Sequence, residues 1–349
     1  MPLGSAAGIE DLARLTARRL PDFAFDFLAG GAGEDRGVER NVLAMRRVLI
    51  AMRGLQPGPI DTAVTLFGRR YAMPFGVAPI GIANLTWPGT DSALARLAQR
   101  ESIPYTLSTA ASTDIETIAR IAPDMAWFQL YMSGREDLND DLVARAQAAG
   151  MHALALTIDI PMPSRRNRNI RQQFDMPFRF KPRFVFAGAL NPRWSIATLR
   201  AGLPLPANHL RYAESRDVNA VMRLLGANPK GGVLLADVER LRTRWRGPLV
   251  VKGILHPDDA LAAKNAGADA VWVSNHGGRQ LEYAPAPIDV LPAIRAAVGP
   301  DYPLFLDGGV RCGEDVLKAY ARGASFVFCG RAFMFGAGAG GAAGVAKAY

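Results

Sequence analysis

Short runs rich in Val, Ile, Leu and Phe recur along the chain, and most of them are separated by stretches in which apolar residues repeat with helical spacing. This alternation is typical of βα units around a parallel sheet. Helices are predicted between the runs, including Thr90–Arg100, Asp114–Ile121, Leu138–Ala149, Pro257–Ala266 and Glu314–Arg322. The runs themselves predict eight strands, near Phe75–Pro79, Tyr105–Ser108, Trp127–Tyr131, Leu154–Asp159, Leu249–Lys252, Ala270–Ser274, Leu304–Asp307 and Phe326–Cys329.

Eight such units favour an α/β fold of the (β/α)8 TIM barrel type, formed by residues 1–349 as one domain. An N-terminal helical segment precedes the barrel, and a long insertion at about 163–246 follows the fourth strand. The helix after the eighth strand is predicted to be short or missing. An open doubly wound sheet is the alternative, because a local pattern does not show closure.

Polar or glycine residues stand at the C-terminal end of every predicted strand. One polar residue there is more often a cap or a turn residue, whereas eight occupied strand ends favour a site, since barrel enzymes place their sites on this face. The residues are Pro79, Ile80, Gly81, Ser108, Gln129, Tyr131, Thr157, Asp159, Lys252, Ser274, His276, Asp307, Gly308, Gly309, Gly330 and Arg331.

The last two strand ends have the composition of a phosphate site. Asp307-Gly308-Gly309-Val310-Arg311 follows the seventh strand, and Gly330-Arg331 follows the eighth. Glycine lets backbone N–H groups approach a phosphate, and arginine adds a bidentate charged contact. Barrels often bind phosphate at these two strands, so a phosphorylated cofactor or substrate is expected.

Two basic side chains and a histidine complete the candidate chemistry. Lys252 closes an apolar strand, where it could form a Schiff base or stabilise an anion. His276 lies in the sequence SNHGGRQ after a buried strand, a setting that favours a general base over a structural histidine. Arg279, three residues later, could bind a carboxylate through two hydrogen bonds.

The net charge of +9 is concentrated in one part of the chain. Between Arg165 and Arg216 there are eleven basic and two acidic residues, so the remainder is neutral overall. Within this part, residues 177–203 interleave aromatic and basic types. Two interpretations have about equal weight: a solvated lid over the barrel, and a patch that binds an anionic membrane surface. Nothing here resembles a nucleic-acid-binding module.

Several classes of protein are disfavoured by the sequence. The N-terminus lacks the continuous apolar core of a signal peptide, and no apolar run is long enough to span a bilayer. Cys312 and Cys329 are too few for a disulfide framework or a metal site. We therefore expect no metal and a cytoplasmic location, with a peripheral position on the inner face of the membrane if the basic patch binds lipid.

The combined motifs resemble the FMN-dependent 2-hydroxy acid dehydrogenases and oxidases, a family that includes glycolate oxidase and the flavin-type lactate and mandelate dehydrogenases. The resemblance extends over about residues 9–347, and Trp87–Gln129 is closest to mandelate dehydrogenase. It is carried by SNHGGRQ and by Phe128–Tyr131, Leu156–Asp159, Val251–Gly253, Leu306–Arg311 and Gly330–Arg331.

The resemblance implies FMN as cofactor and a small 2-hydroxy acid as substrate. His276 would take a proton from the substrate, Asp159 would stabilise the protonated imidazole, and Tyr131 would bind the substrate hydroxyl. Whether the α-hydrogen leaves as a proton or as a hydride stays open. Arg166 and Arg279 would bind the carboxylate. The expected FMN contacts are Pro79, Ile80, Gly81, Ser108, Gln129, Thr157, Lys252 and Ser274 at the ring, and Asp307, Gly308, Gly309, Arg311, Gly330 and Arg331 at the ribityl phosphate.

Three positions bear on the substrate and the acceptor. Phe27 stands where the family usually has a carboxylate-binding tyrosine, which implies a less tightly held carboxylate or a different substrate. Gly81 is associated with the dehydrogenase or monooxygenase members, and Ala110 replaces a bulky tryptophan of glycolate oxidase, which implies a larger or aromatic substrate such as mandelate. Quinone or another non-oxygen electron acceptor is expected, and a homotetramer is the expected assembly.

Other functions remain open at this stage. An oxidase or monooxygenase would use oxygen as acceptor. An FMN barrel without redox turnover would leave His276, Arg279 and Arg166 without a role. A non-catalytic relative is the fourth alternative, raised by Phe27 and by the short C-terminus.

Overall fold

A computed structural model describes residues 1–52, 54, 58–174, 179, 181–215, 217–226 and 232–349, with side chains of 225 and 226 excepted. The N-terminal segment forms three helices, α1 (Ile9–Arg19), α2 (Asp22–Ala29) and α3 (Arg36–Arg47). An antiparallel hairpin of β1 (Val64–Leu66) and β2 (Arg69–Tyr71) follows and leads into the barrel.

Eight parallel strands close into a barrel in which each strand pairs with the next along the chain and the last pairs with the first. Closure excludes the open sheet, and the predicted TIM barrel is confirmed. All eight predicted strands are present, although β6 ends before Asp159 and β7 continues past Lys252. Their bounds are β3 (Phe75–Val77), β4 (Tyr105–Ser108), β5 (Ala126–Tyr131), β6 (Leu154–Thr157), β7 (Leu249–Ile254), β8 (Ala270–Val273), β9 (Leu304–Leu306) and β10 (Phe326–Cys329).

Helices surround the barrel and also build the insertion after β6. The five helices predicted from spacing are present within a few residues of the expected bounds. The described helices are α4 (Thr90–Glu101), α5 (Ile115–Ile121), α6 (Glu136–Ala148), α7 (Asn167–Arg171), α8 (Pro182–Leu190), α9 (Pro192–Ala201), α10 (Val218–Gly226), α11 (Leu235–Arg244), α12 (Pro257–Asn265), α13 (Pro287–Val298), α14 (Gly313–Ala321), α15 (Arg331–Gly340) and α16 (Ala342–Ala348).

The barrel interior is filled with large side chains, so it is a packed core. Trp272 stacks on Phe328 with ring centroids 3.9 Å apart, and both are fully buried. The hairpin closes the N-terminal end, where Trp127 Nε1 donates to the Tyr71 hydroxyl at 3.1 Å. Ligands can therefore reach the barrel axis only from the C-terminal end of the strands.

The N-terminal segment is held against the last barrel unit. Thr16 Oγ1 on α1 donates to the carbonyl of Phe335 on α15 at 2.6 Å, and the bond is buried. The helices approach so closely there that a Cβ added at Gly338 would lie 2.3 Å from the Thr16 side chain. This contact places α2 and α3 over the barrel mouth.

Candidate active site

Three strand ends bring His276, Asp159 and Tyr131 together. His276 follows β8, and its Nδ1 lies 3.0 Å from Asp159 Oδ1, just beyond β6. Its Nε2 lies 3.2 Å from the Tyr131 hydroxyl at the end of β5. Both imidazole nitrogens thus have polar partners, and the carboxylate fixes the orientation of the ring.

His276 occupies a backbone conformation that is rare for residues with a side chain. Its φ is +58°, and the glycines after it continue the left-handed path, Gly277 at +63° and Gly278 at +75°. The His276 N–H donates to Ser274 Oγ at 3.0 Å. Such a conformation costs on the order of 1–3 kcal/mol and persists only where neighbouring contacts hold it, commonly at active sites.

The electrostatics of the group follow from burial and from the pairing. Burial raises the pKa of the Asp159 carboxyl, but the charge of His276 and the hydrogen bond to it act in the opposite direction and leave the pKa below its usual value. The pKa of Tyr131 is raised above its usual range by burial and by the Asp159 charge. Asp159 is therefore an anion beside the imidazole, and Tyr131 is a neutral donor.

The Lys252 side chain belongs to a second polar network, which it forms with residues that follow the neighbouring strands. Its Nζ lies 2.9 Å from Ser274 Oγ and 3.1 Å from Asp307 Oδ2, and only 3% of the residue is exposed. Ser274 Oγ in turn donates to Asp307 Oδ1 at 2.6 Å. The ion pair with Asp307 favours the stabilisation of an anion over Schiff-base chemistry.

The charges of neighbouring arginines contribute to lowering the pKa of Arg279 and of Arg331 at this end of the barrel. Burial is the main reason that the pKa of Arg279 falls well below its usual value, and the charges of Arg166 and Arg331 add to the effect. The pKa of Arg331 is lowered to about 9, chiefly by burial and then by Arg311 and Arg166. A cluster of like charges with this arrangement binds anions, because an anion relieves the repulsion.

Arg279 is held in place by hydrogen bonds to backbone oxygens, and it also lines the cavity at the barrel mouth. Its Nη1 donates to the carbonyls of Phe27 at 2.9 Å and Gly30 at 2.8 Å. The guanidinium carbon lies 5.4 Å from the centroid of the Phe27 ring. Arg166 donates through Nε to Ser164 Oγ at 3.1 Å. The two predicted carboxylate ligands are thus oriented by the α2 end and by the loop before α7.

The barrel mouth contains a cavity of about 880 Å³, including its opening to solvent. It brings together fourteen of the residues singled out from the sequence, whereas Ser108, Gln129, Thr157, Asp159, Arg166 and Ser274 are not among its lining residues. The fourteen are Phe27, Pro79, Ile80, Gly81, Tyr131, Lys252, His276, Arg279, Asp307, Gly308, Gly309, Arg311, Gly330 and Arg331.

Other lining residues were missed by the sequence analysis. Leu28, Ile82 and Met334 contribute apolar surface, and Thr86 a hydroxyl. Met334 lies three residues after Arg331 on α15, so helical periodicity could have placed it on the same face. No local pattern marks Leu28 or Thr86 themselves as site residues, because α2 and the segment after residue 85 reach the mouth only through the tertiary fold.

Two glycine turns shape the wall of the cavity beside the arginines. Gly308 and Gly309 have φ of +103° and +90°, and a Cβ at Gly309 would lie 2.4 Å from the Asn41 carbonyl oxygen. By contrast, a Cβ at Gly330 would find its nearest neighbour only at 3.9 Å. The first turn needs glycine for its conformation, whereas the second leaves open space next to Arg331.

Several buried polar atoms have no protein partner at this end of the barrel. They are Gln129 Nε2, Thr157 Oγ1 and Arg331 Nε. Ser108 Oγ donates to Gln129 Oε1 at 3.0 Å, which leaves the amide nitrogen of Gln129 as the free donor. Unpaired buried donors are costly, so a ligand with oxygen or nitrogen acceptors is expected to satisfy them.

The donor set fits FMN. A flavin ring offers oxygen and nitrogen acceptors to Gln129 and Thr157, and a phosphate offers charge to Arg311 and Arg331. Among the described residues, no group of three or more His, Cys, Asp or Glu side chains could hold a metal ion. In the same part of the chain, no helix has the length and hydropathy required to cross a bilayer.

The sequence matches the family model of FMN-dependent dehydrogenases over residues 16–349. It is 37% identical to an L-lactate dehydrogenase of Caulobacter vibrioides over 340 residues, which are 97% of this chain and 88% of the relative. It is 35% identical to an (S)-mandelate dehydrogenase of Pseudomonas putida over 345 residues, 97% and 85% of the two chains. The crystal structure of a monotopic membrane protein, (S)-mandelate dehydrogenase, superposes with a TM-score of 0.93 at 34% identity, covering 99% of this chain and 91% of the other.

Proposed function

The chain belongs to the FMN-dependent dehydrogenases, and from this premise we propose that it oxidises a 2-hydroxy acid to the 2-oxo acid. The observation that carries the proposal is that His276 and Arg279 line the same cavity, so that a base and an anion site open into one space. In a 2-hydroxy acid, the carbon atom that carries the hydroxyl group and the α-hydrogen is bonded directly to the carboxylate carbon. The base and the anion site could therefore engage the two neighbouring groups at once.

The proposed roles follow from the contacts. His276 takes a proton on Nε2, since Nδ1 is occupied by Asp159. The anionic carboxyl of Asp159 stabilises the protonated imidazole. Tyr131 donates to the substrate hydroxyl, and Arg166 and Arg279 bind the carboxylate. Each group is oriented before substrate arrives, which lowers the cost of reaching the reactive geometry.

Bound FMN supplies the acceptor for the two electrons that the substrate loses. Lys252 holds a positive charge at the base of the cavity, where it would stabilise negative charge on an anionic cofactor. Gln129 and Thr157 would hold the ring edge through polar atoms that lack protein partners. Ser108, which donates to Gln129 Oε1 at 3.0 Å, would adjoin the ring beside them. Arg311 and Arg331 would hold the phosphate.

The substrate is proposed to have a larger or aromatic side chain. Ala110 occupies less volume than the tryptophan that glycolate oxidase has there, and it packs closely beside Gly81, where an added Cβ would lie 3.1 Å from the Ala110 Cβ. Apolar surface from Phe27, Ile82 and Met334 adjoins the reactive groups. (S)-Mandelate is the first candidate, and L-lactate is the smaller comparison.

The test is anaerobic mixing of the FMN-loaded protein with a panel of 2-hydroxy acids while the flavin absorbance is followed. We expect bleaching, and faster bleaching with mandelate than with lactate. The absence of bleaching by every member of the panel would contradict the proposal. Admission of oxygen, or of a quinone analogue, to the reduced protein then identifies the acceptor: slow reoxidation by oxygen and fast reoxidation by quinone support a dehydrogenase, and the reverse supports an oxidase.

We also propose that α8 and α9 bind the surface of an anionic membrane. The described part of this segment exposes a row of large apolar side chains, Val185, Phe186, Leu190, Ile196, Leu199 and Leu203, each at least 50% exposed. Residues 181–203 contain four basic and no acidic residues. Phe184 and Trp194 point the other way into an aromatic cluster with Phe23, so the two helices are amphipathic. Pro177, Phe178 and Phe180 of the predicted segment lie outside the described residues.

Co-sedimentation with vesicles tests this surface. The wild type is expected to bind vesicles that contain phosphatidylglycerol, and the Phe186→Glu/Leu199→Glu variant is expected to lose most binding. Leu317→Glu on α14, at a residue 57% exposed and far from the segment, is the matched control. Unchanged binding by the double variant would contradict the membrane proposal and favour a solvated lid.

A further inference from the structure

A pair of buried asparagines joins the N-terminal segment to the loop that carries His276. Asn41 lies on α3 and is 2% exposed, and Asn275 directly precedes His276 and is 3% exposed. Asn41 Nδ2 donates to Asn275 Oδ1 at 2.8 Å, and Asn275 Nδ2 donates to Asn41 Oδ1 at 2.7 Å. The two amides therefore form a closed, two-bond ring between segments 234 residues apart.

The remaining bonds of Asn275 fix the orientation of both amides. Asn275 Oδ1 also accepts from the backbone N–H of Gly278 at 2.9 Å, and Asn275 Nδ2 also donates to the Pro285 carbonyl at 3.0 Å. The N–H of Gly278 requires an oxygen acceptor, and the Pro285 carbonyl requires an N–H donor. An Asn275 amide with its oxygen and nitrogen exchanged would therefore lose both hydrogen bonds. Every donor and acceptor site of the Asn275 amide is thus occupied.

These bonds span the left-handed turn at His276. Asn275 is the first residue of the turn, and its side-chain Oδ1 accepts a hydrogen bond from the N–H of Gly278 at the end of the turn. The side chain thus closes the turn around His276 and Gly277. The first turn of α3 covers the other side, since a Cβ at Gly278 would lie 2.5 Å from the Gly37 carbonyl carbon. The conformation that aims the imidazole at Asp159 and Tyr131 is supported by α3.

Asn41 also contacts the glycine turn that follows β9, the strand next to β8. A Cβ at Gly308 would lie 3.2 Å from Asn41 Nδ2, and one at Gly309 would lie 2.4 Å from the Asn41 carbonyl oxygen. One residue therefore packs against the loop of the base and against the turn next to the arginines. Asn41 itself does not line the cavity.

We propose that Asn41 is a positioning residue for the oxidation reaction, acting through Asn275 to hold His276 in its left-handed conformation. The inference rests on the proposed function, because a rate is needed to observe it. A displacement of about 1 Å at a catalytic group can lower a rate roughly a hundredfold. Removal of the pair is thus expected to affect the reductive step more than the amount of folded, FMN-loaded protein.

The variants are Asn41→Asp and Asn41→Ala. An ionised carboxylate cannot donate to Asn275 Oδ1, so Asn41→Asp breaks one bond of the ring with almost no change of shape. Asn41→Ala leaves room for water and serves if the first variant folds poorly. Asn208→Asp is the matched control, because Asn208 is fully buried and lies in the insertion, outside the site.

The rate of anaerobic flavin reduction is measured first for the wild type, with a 2-hydroxy acid and its 2-deuterated form, so that failure of the proposed function would already be seen there. At equal FMN loading, both Asn41 variants are expected to reduce flavin at least tenfold more slowly, with an undiminished isotope effect. Asn208→Asp is expected to lower the melting temperature without this loss. Wild-type rates and isotope effects in the loaded Asn41 variants, with only a lower melting temperature, would overturn the proposal.

Two further measurements separate the two contacts of Asn41. If Asn41 acts through Asn275, the double variant Asn41→Ala/Asn275→Ala loses little more rate than Asn275→Ala alone. Additive losses would overturn the route through Asn275. Fluorescence titration with FMN reports the turn at Gly308 and Gly309, and a weakened FMN affinity combined with a normal reduction rate would also count against the proposal.

Discussion

His276 and His152 lie at opposite ends of the same barrel, and their surroundings differ in every respect that matters for chemistry. His276 follows the C-terminal end of β8, and each imidazole nitrogen has a polar partner. His152 precedes β6 at the N-terminal end, where Nε2 is buried without a hydrogen-bond partner and the ring lies near Trp127. Burial, and then the charge of Arg69, lowers the pKa of His152 to about 4.

The difference shows that the end of the strand decides what a histidine can do. At the C-terminal end, side chains from several strands and from α2 converge on a cavity, so a carboxylate and a phenol can reach one imidazole. At the N-terminal end the β1–β2 hairpin closes the barrel, and a histidine there is kept neutral by its surroundings. We thus propose that the same residue type acts in catalysis at one end, whereas it packs in the barrel wall at the other.

The largest expected effect is the removal of the base. His276→Gln is expected to lower the rate of flavin reduction by roughly 10²–10⁴-fold, the usual contribution of general acid–base catalysis. His152→Gln is expected to leave the rate within about twofold of the wild type. Stopped-flow reduction of the two FMN-loaded variants makes the comparison, and equal losses would remove the distinction between the two ends.

A smaller loss is expected from the partner of the base. Asp159→Asn keeps the shape but removes the negative charge beside Nδ1, so a protonated His276 is no longer stabilised. Because a charged hydrogen bond contributes about 1.5–3 kcal/mol, the reduction rate should fall roughly tenfold to a hundredfold. Initial rates measured over a range of substrate concentrations should show this loss in kcat. A change confined to KM would contradict the role of Asp159.

Phe27→Tyr is expected to have a moderate and favourable effect. The Phe27 ring lines the cavity and lies over Arg279, so a hydroxyl added to it would adjoin the predicted carboxylate site. A single hydrogen bond contributes about 1 kcal/mol, which corresponds to a roughly fivefold lower KM for the 2-hydroxy acid. Phe25→Tyr on the same helix is the control, since Phe25 stacks near Phe335 instead. An unchanged KM in Phe27→Tyr would show that the carboxylate lies elsewhere.

The smallest effect concerns stability and pH. His152 has a folded pKa below its unfolded value of about 6.5, so the unfolded chain gains protons first and the protein loses stability as the pH falls from about 6.5 to 4. His152→Gln should reduce this loss by about 1 kcal/mol, or about 2–4 °C in Tm, allowing for the partial exposure of the ring. Differential scanning fluorimetry at pH 7.5 and pH 5.0 measures it, and an identical pH response of variant and wild type would contradict the assignment.

The barrel and most of the cavity lining could be predicted from the sequence because both depend on local patterns. Buried parallel strands are continuous apolar runs, and their ends are marked by a change to polar residues or glycine. Lys252 and His276 each follow directly on such a run, so strand order alone brings them to one face. Exact strand ends were less certain, and Asp159 lies in the loop beyond β6.

Contacts between distant segments were not predictable in this way. The carbonyls of Phe27 and Gly30 that anchor Arg279 are about 250 residues away in sequence, and no pattern in α2 indicates them. The same holds for Asn41, which is one polar residue in an ordinary amphipathic helix until α3 is seen against the His276 loop. Such pairings depend on the angle at which the N-terminal segment crosses the barrel.

The buried bond between Thr16 and the Phe335 carbonyl has a consequence for biosynthesis. The surface that receives α1 belongs to α15, which leaves the ribosome after all eight barrel strands. The N-terminal helices are made first, but α1 cannot dock on α15 until all eight barrel strands have been made. A nascent chain could therefore close most of its barrel while α1 is still undocked, which would delay the final placement of Phe27 and Asn41 at the mouth until α15 has formed.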